Sequence, residues 1–507
     1  NKGTALGPLG LDYRGATAVS LGTVNVNNNT DTSKPYSGVA NSIVGQANMT
    51  TNSNAAIIYG AGNTVTDSYR PINDKKAAGI LGSISDPTKL SEAMQNAVKD
   101  SGGQVMVMGG GNNVESAYMS QVVGVGNTVK GNQVENTKGE WGTDTSDTAI
   151  KDYNSEKSSQ YNYVDGFNNE VINGKHDYVI GANNKLSGDS YDDDQANPIK
   201  RSNKSNIVIG DNHTLTRKQN TVIIGSSDTE NTQTIARDAV IIGHNANATS
   251  DTGADNAVAI GRAATATGGN AVTIGVNTSA GENRITIGSE SHANSGSNIA
   301  IGRSAQVYGY EVTNAVALGQ EANAQVADGV AIGSGSEATV AGKTTEGYDP
   351  ATGQNSTETT ATWQATKAAV SIGKADGTVT RQINGVAAGT NDTDAVNVAQ
   401  LKSLQSGLTN DLTDKGLKFA ANSGAEYTAK LGSTVKIQGT EKKEGHEYTA
   451  DNLTTEIDEN GNITILMDKD MSVEKLAVNG KNGKDGAPGS IGISGQDGKA
   501  GVGIDGK

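Results

Sequence analysis

The residues able to do chemistry are few, and their spacing keeps them apart. Five histidines stand singly at 176, 213, 244, 292 and 446, with no His-x-x-x-His pair and no His/Asp cluster from which to build a metal site. There is no cysteine, which removes disulfides, thiolate ligands and thiol nucleophiles. Asp192-Asp193-Asp194 offers hard oxygen ligands of the kind calcium accepts, but an acidic run in a polar stretch reads first as a solvated surface. Gly333-Ser334-Gly335-Ser336-Glu337-Ala338 formally matches a G-x-G-x-x-A nucleotide fingerprint, yet no helix follows it to face a pyrophosphate. Ala341-Gly342-Lys343-Thr344 ends like a phosphate loop, with Glu337 standing where the first glycine is required. No Ser, His and Asp set can be assembled from spacing. The chain is therefore read as a non-enzyme with no catalytic residue, cofactor or metal.

What remains is recognition. The stretch from Lys138 to Tyr163 holds Trp141, Tyr153, Tyr161 and Tyr163, a dense share in a chain that is only 4% aromatic. Exposed tyrosine and tryptophan dominate binding hot spots, so these four form the candidate binding surface. The alternative is that they pack down to hold their own segment in place, since large bare aromatics favour aggregation.

Those residues must be carried by a scaffold, and the scaffold announces itself as a repeated phrase of hydrophobic, any, hydrophobic, glycine. Its clean run is Val258-Ala259-Ile260-Gly261, Val272-Thr273-Ile274-Gly275, Ile285-Thr286-Ile287-Gly288, Ile299-Ala300-Ile301-Gly302, Val316-Ala317-Leu318-Gly319 and Val330-Ala331-Ile332-Gly333. The glycines are 14, 13, 14, 17 and 14 residues apart. Looser copies precede it, among them Val19-Ser20-Leu21-Gly22, Ile57-Ile58-Tyr59-Gly60, Met106-Val107-Met108-Gly109 and Tyr178-Val179-Ile180-Gly181. In a strand the two hydrophobics point to one face, and glycine then allows a turn with positive φ. A weaker alternation of small residues follows, as in Ala264-Thr265-Ala266, so one repeat is two short strands and two turns. Stacked coils of this kind make an all-β, parallel β-solenoid. The expectation is that Val258, Ile260, Val272, Ile274, Ile285, Ile287, Ile299 and Ile301 are core and that Gly261, Gly275, Gly288 and Gly302 turn the chain.

Composition agrees with a thin core. Of 507 residues 34% are hydrophobic, and 66 glycines fill the apolar deficit. A net charge of −15 argues against nucleic acid, which needs clustered Lys and Arg. No run of about 18 apolar residues and no signal peptide at Asn1 is found, an expectation that suits an excised piece of something longer. Where the period breaks, insertions are expected on one face, near 61–105, 127–163, 182–205 and 342–368. The first contains a short helix over residues 86–98, opened by Asp86-Pro87, with Leu90, Ala93, Met94, Ala97 and Val98 on one side.

After Gly373 the period stops. Arg381-Gln382-Ile383-Asn384-Gly385-Val386 is followed by Asp394-Ala395-Val396-Asn397-Val398-Ala399-Gln400-Leu401. Asp394 is the candidate N-cap of a helix whose Val398, Leu401, Leu404, Leu408 and Leu412 form a seam of barely two heptads, too short to stand alone. The head repeats joined to this stretch resemble trimeric autotransporter adhesins, surface fibres of Gram-negative bacteria. The resemblance implies a trimeric left-handed parallel β-roll head over 1–372 and a neck over 373–404, with Arg381, Gln382, Ile383, Val386, Asp394, Ala395, Val396, Asn397, Val398 and Leu401 as the neck motif. It further implies a short trimeric coiled coil over 405–415 and a small β stalk domain over 416–479. The family's membrane-anchoring barrel would be the only link to a membrane, and it is absent from these residues. His292-Ala293-Asn294-Ser295 spells a connector motif of that family but falls inside the head period, where it reads as repeat filler.

Residues 416–478 alternate polar and apolar over short runs, with Asn460-Gly461 as a hairpin-type turn. Glycine then recurs every third residue from 480 to 501 with Pro488 as the single proline, which fits either a collagen-like helix or a flexible linker. The function expected is multivalent attachment by a homotrimer at the cell surface to host cells, matrix or other bacteria, through a receptor the sequence does not specify. The competing readings are a structural spacer and a solenoid polysaccharide-processing enzyme; the latter needs carboxylates recurring on successive coils, where the clean coils carry Ala, Thr, Asn and Ser.

Overall fold

A computed structural model gives the architecture. It describes residues 18–474 except 32–36, 39, 70–85, 87, 90–91, 93–94, 96–103, 132–158, 189–202, 231, 235, 250–254, 295, 344–345 and 440. The glycine-triplet segment, 480–507, thus lies outside the described residues. So do Trp141, Tyr153 and Asp192-Asp193-Asp194. The chain divides into two units, one up to Ala395 and one from Val396.

In the first unit the repeated phrase is one strand per coil, and these strands stack in chain order into a 17-stranded parallel sheet from Val19–Thr23 to Val370–Ser371. The register is in step with the repeat: Val258 pairs with Val272, Val272 with Ile285, and Ile285 with Ile299. The second strand of each coil forms its own sheet, nine-stranded from Val26–Asn28 to Thr232–Thr234 and seven-stranded from Asn247–Ala248 to Glu337–Ala338. Four coils add a third strand at Ala117–Tyr118, Ser159–Gln160, Gly174–Lys175 and Asn203–Lys204. The stack is a solenoid, as the period required.

The core is on the other face of the strand from the one expected. Each phrase has the burial pattern half-buried, buried, half-buried. The buried residue is the middle one: Ala259, Thr273, Thr286 and Ala300 are fully buried, whereas Val258, Ile260, Val272, Ile274, Ile285, Ile287, Ile299 and Ile301 lie on the outer face. The reason is thickness. First and second strands of a coil face each other across so narrow an interior that the facing side chains must interdigitate within about 10 Å. Small middle residues fit there, and branched ones at both flanks do not. The earlier coils are 15 residues long, have Ile58, Val107, Val122 or Val179 in the middle, and meet Val65, Val114, Val129 and Leu186 from the second strand. The Val240 coil still has Ile241 in the middle but meets Ala248, and from Val258 onward the middle residue is alanine or threonine and the second strand offers Ala266 and Ala280. The roll narrows where the sequence shortens its period.

The phrase glycine does more than turn the chain. Gly60 has φ +140° and Gly261 +132°, and a Cβ at either would sit 1.8 Å from Gly109 O or 2.1 Å from Gly275 O. Coils can stack this closely only because that column is glycine. In the earlier coils the glycine carbonyl also takes a hydrogen bond from a buried asparagine column. Asn48 Nδ2 donates to Gly60 O (2.7 Å), Asn63 to Gly109 O (2.9 Å), Asn112 to Gly124 O (2.9 Å) and Asn127 to Gly166 O (2.9 Å). Each asparagine Oδ1 accepts the backbone N–H and the amide of the asparagine one coil on, for example Asn112 and then Asn127 at 3.0 and 3.1 Å. The column continues through Asn169 and Asn184 and ends at His213, whose backbone N–H donates to Asn184 Oδ1.

In the second unit, one helix spans Val398–Lys415, with no buried residue. Its N-cap is Asn397, in a reciprocal capping box with Gln400. Asp394, expected at the cap, closes the preceding turn instead: its Oδ2 accepts from Thr390 N (2.9 Å) and Asn391 N (3.0 Å), which holds the carboxyl below the usual range. Two antiparallel hairpins follow, Leu417–Phe419 with Tyr427–Ala429 and Leu453–Ile457 with Ile463–Met467. The second is turned by Asp458, whose Oδ1 accepts from Asn460 N and Asn462 N. No described helix is long and apolar enough to cross a membrane.

Candidate functional site

Stacking in register lines up the corners of successive coils, so any break in the period emerges along an edge. The larger interruptions leave from the same corner, after the second strand and before the next first strand. Thr64–Thr66 is followed by Met106–Gly110, Thr128–Lys130 by Ser159–Gln160, Lys185–Ser187 by Asn203–Lys204, and Glu337–Ala338 by Val370–Ser371. The last gap contains a small hairpin, Tyr348–Asp349 with Gln354–Asn355. In the first gap, Asp86 Oδ1 accepts from Thr88 N (2.9 Å), and Thr88, Lys89, Glu92 and Gln95 are helical; the expected apolar face of that helix lies outside the described residues.

Of the four candidate aromatics, the two described belong to the roll and not to the insertion assigned to them. Tyr163 opens the first strand Tyr163–Phe167, a copy of the phrase reading Tyr163-Val164-Asp165-Gly166, and pairs with Tyr178 on the next coil. Their ring centroids are 6.3 Å apart. Tyr161 occupies the left-handed turn just before that strand (φ 57°) and lies flat on His176 of the next coil, centroids 4.7 Å apart and planes within 9°. Burial and the nearby Lys175 and Lys204 lower the His176 pKa, which favours the neutral ring for stacking. Both pairs are 15 residues apart, one coil, and that spacing was the signal for coil-to-coil staples.

Sequence reasoning passed over a more exposed pair. The 17-residue step between Gly302 and Gly319 hides the loop Tyr308-Gly309-Tyr310-Glu311-Val312 at the same corner. Val312 is buried and its carbonyl accepts from Asn298 Nδ2 (2.7 Å), while Asn298 Oδ1 accepts from Ala315 N (2.8 Å). That anchor leaves Tyr308 68% and Tyr310 99% exposed.

Nothing described gathers ligands for an ion: no group of three or more His, Cys, Asp and Glu occurs among the described residues. The fingerprint-like Gly333-Ser334-Gly335-Ser336 is an ordinary corner leading into the strand Glu337–Ala338, with Ser336 Oγ donating to Ile332 O (2.7 Å). That corner is where Arg381 folds back. Its guanidinium donates to Ser336 Oγ (3.0 Å), Ser334 O (2.5 Å) and Ile372 O, tying the start of the neck to the last coils. Beyond it the stretch expected to be the neck bares its apolar groups: Ile383, Val396, Val398 and Leu401 are all exposed, and so are Gln382 and Ala395.

Residues 382–424 match the family model described as the coiled stalk of trimeric autotransporter adhesin. Over these residues the chain is similar to the stalks of trimeric autotransporter adhesins. It is 54% identical over 59 residues to autotransporter adhesin BadA of Bartonella henselae, a match over 12% of this chain and 2% of that protein. The chain thus spans a small fraction of that relative's length. Among solved structures it is similar to the collagen-binding domain of the Yersinia adhesin YadA, at 26% identity over 40% of this chain and 83% of that one, with a TM-score of 0.25.

Proposed function

We propose that this chain is the displayed part of a bacterial cell-surface adhesin, extracellular on a Gram-negative bacterium and working as a homotrimer. The observation that carries the reading is the pair of apolar faces that one chain leaves bare. Outward residues of the 17-stranded sheet, such as Ile57, Tyr59, Ile209 and Leu318, form a continuous strip, and Leu401, Leu404, Leu408 and Leu412 line one side of the exposed helix. At roughly 25 cal/mol per Å2, covering either face with copies of itself is strongly favourable, and an 18-residue helix with no buried residue needs such cover to persist. Three parallel copies then present each corner loop three times, so that weak contacts add through effective concentration. The adhesive surface lies along the insertion corner, where Tyr308 and Tyr310 stand exposed between coils.

The test is direct. Sedimentation equilibrium of the full chain should return about three times its 51.8 kDa; a folded monomer would sink the reading. Bacteria displaying the chain should attach to host cells, matrix or one another. Collagen, which the Yersinia domain is named for binding, belongs among the surfaces tried. Attachment unchanged after replacing the insertions between 70 and 202 and the Tyr308–Tyr310 loop by plain corners would leave only a spacer.

A further inference from the structure

A second corner, between the first and second strands, contains a groove of about 300 Å3 that spans several coils. Its floor is Gly126 and Thr128 on one coil, Asn168 and Glu170 on the next, and Asn183 and Lys185 on the one after. Glu230 closes one end from the longer corner loop between Val222–Ile224 and Thr232–Thr234. The floor is rigid, because Asn168 and Asn183 hold left-handed turns (φ 53° and 57°) directly before the buried asparagine column at Asn169 and Asn184. Asn168 Nδ2 donates to Asn183 Oδ1 (3.0 Å), and Glu170 pairs with Lys185 (3.0 Å). Thr128 Oγ1, Asn168 Oδ1 and the Glu230 carboxylate have no partner among the described residues. Val125 and Phe167, which precede Gly126 and Asn168 in the chain, are each more than half exposed.

We propose that this groove binds a neutral pyranose sugar, the terminal residue of a glycan on the attached surface. Its size is at the small end of ligand pockets, which suits one or two sugar rings. Planar amides and carboxylates fixed side by side accept hydrogen bonds from neighbouring ring hydroxyls, while Thr128 and Lys185 can donate to others. Two glutamates against one already paired lysine repel a sialic or uronic acid, so the charge selects neutral or N-acetylated sugars. Pre-set backbone conformations keep the ordering cost of binding low. The proposal deepens the adhesin reading by naming what one surface would grip.

The test uses the full chain on an array of mannose-, galactose-, glucose-, N-acetylglucosamine- and N-acetylgalactosamine-terminated oligosaccharides, with sialylated and uronic counterparts. Retention of at least one neutral class, weakened about tenfold or more by Glu230→Ala and by Asn168→Ala at an unchanged melting temperature, is expected from losing one hydrogen bond to a charged or amide group. Tyr310→Ser should leave it intact. Retention of no neutral glycan, retention of acidic glycans alone, or indifference to both groove variants overturns the proposal. Attachment of displaying cells without any glycan binding would discard the groove and keep the adhesin; glycan binding without attachment would do the reverse.

Discussion

Replacing Asp177 by asparagine should stabilise the roll, and more so as pH rises. Asp177 sits immediately before the first strand Tyr178–Ala182, fully buried, in a column with Asn162 and Asn206. Asn162 turns its Nδ2 to Gly174 O (2.9 Å) and Asn206 turns its Nδ2 to Lys218 O (2.9 Å). Strand register places Asn203 next to Gly174, so the equivalent carbonyl for Asp177 is that of Asn203. A carboxylate has no hydrogen to offer it, and Asp177 Oδ2 is left without a partner. Oδ1 accepts from Asn206 N (2.9 Å) and Nδ2 (3.0 Å), but these do not offset desolvation, which pushes the pKa from 3.8 up to about 7. A pKa raised on folding means that the folded state holds the proton longer. The Asp177 contribution to stability is therefore most favourable below about pH 4, falls through the interval up to about pH 7 and is level above it. The full interval is worth about 4 kcal/mol per chain, at about 1.4 kcal/mol per pH unit. Asp177→Asn restores the missing donor without a charge, so the variant should match the parent near pH 4 and exceed it by about 2–4 kcal/mol at pH 8. Denaturant unfolding of both proteins at pH 4.5, 6 and 8 measures the difference. A gap that does not widen with pH refutes the argument.

Gly261→Ala places a Cβ 2.1 Å from Gly275 O at a φ of +132°, and should cost more than about 3 kcal/mol, read as a lost or broadened thermal transition of the head. Asn127→Ala removes the amide that serves Val123 O, Gly166 O and the backbone and side chain of Asn169, and should cost about 2–4 kcal/mol in the same melt; a loss under about 0.5 kcal/mol would mean that the column contributes little. Asn397→Ala should lower helix stability by about 1 kcal/mol in circular dichroism, whereas Asp394→Ala should loosen the Thr390–Asn391 turn and leave the helix end in place. Leu408→Asp alters a residue that is more than half exposed in one chain, so a drop in sedimentation mass with the helix retained reports an interface between copies.

The strands, their parallel stacking and the glycine corners were legible because the period is carried by the residues themselves. Tyr163-Val164-Asp165-Gly166 was missed as a coil because aspartate fills a slot usually taken by an aliphatic residue. On an outer face that substitution costs little, so the pattern tolerates it. The Tyr308–Tyr310 loop was missed for a related reason: three extra residues in one coil change a spacing without changing the phrase. The cap moved from Asp394 to Asn397 because two side chains of the same chemistry compete locally, and the capping box with Gln400 decides between them.

The sequence by itself determined that the repeats form a β-solenoid and that the period ends near Gly373, since alternation and glycine spacing are local and periodic. It could not say which face of each strand is inside. Period two gives two faces, and the larger residues mark the inside only when the interior is wide enough to hold them. Closing the coil set that width, sent Val258 and Ile260 outward, left Ala259 as core, and so turned the most conspicuous hydrophobic residues of the sequence into a surface.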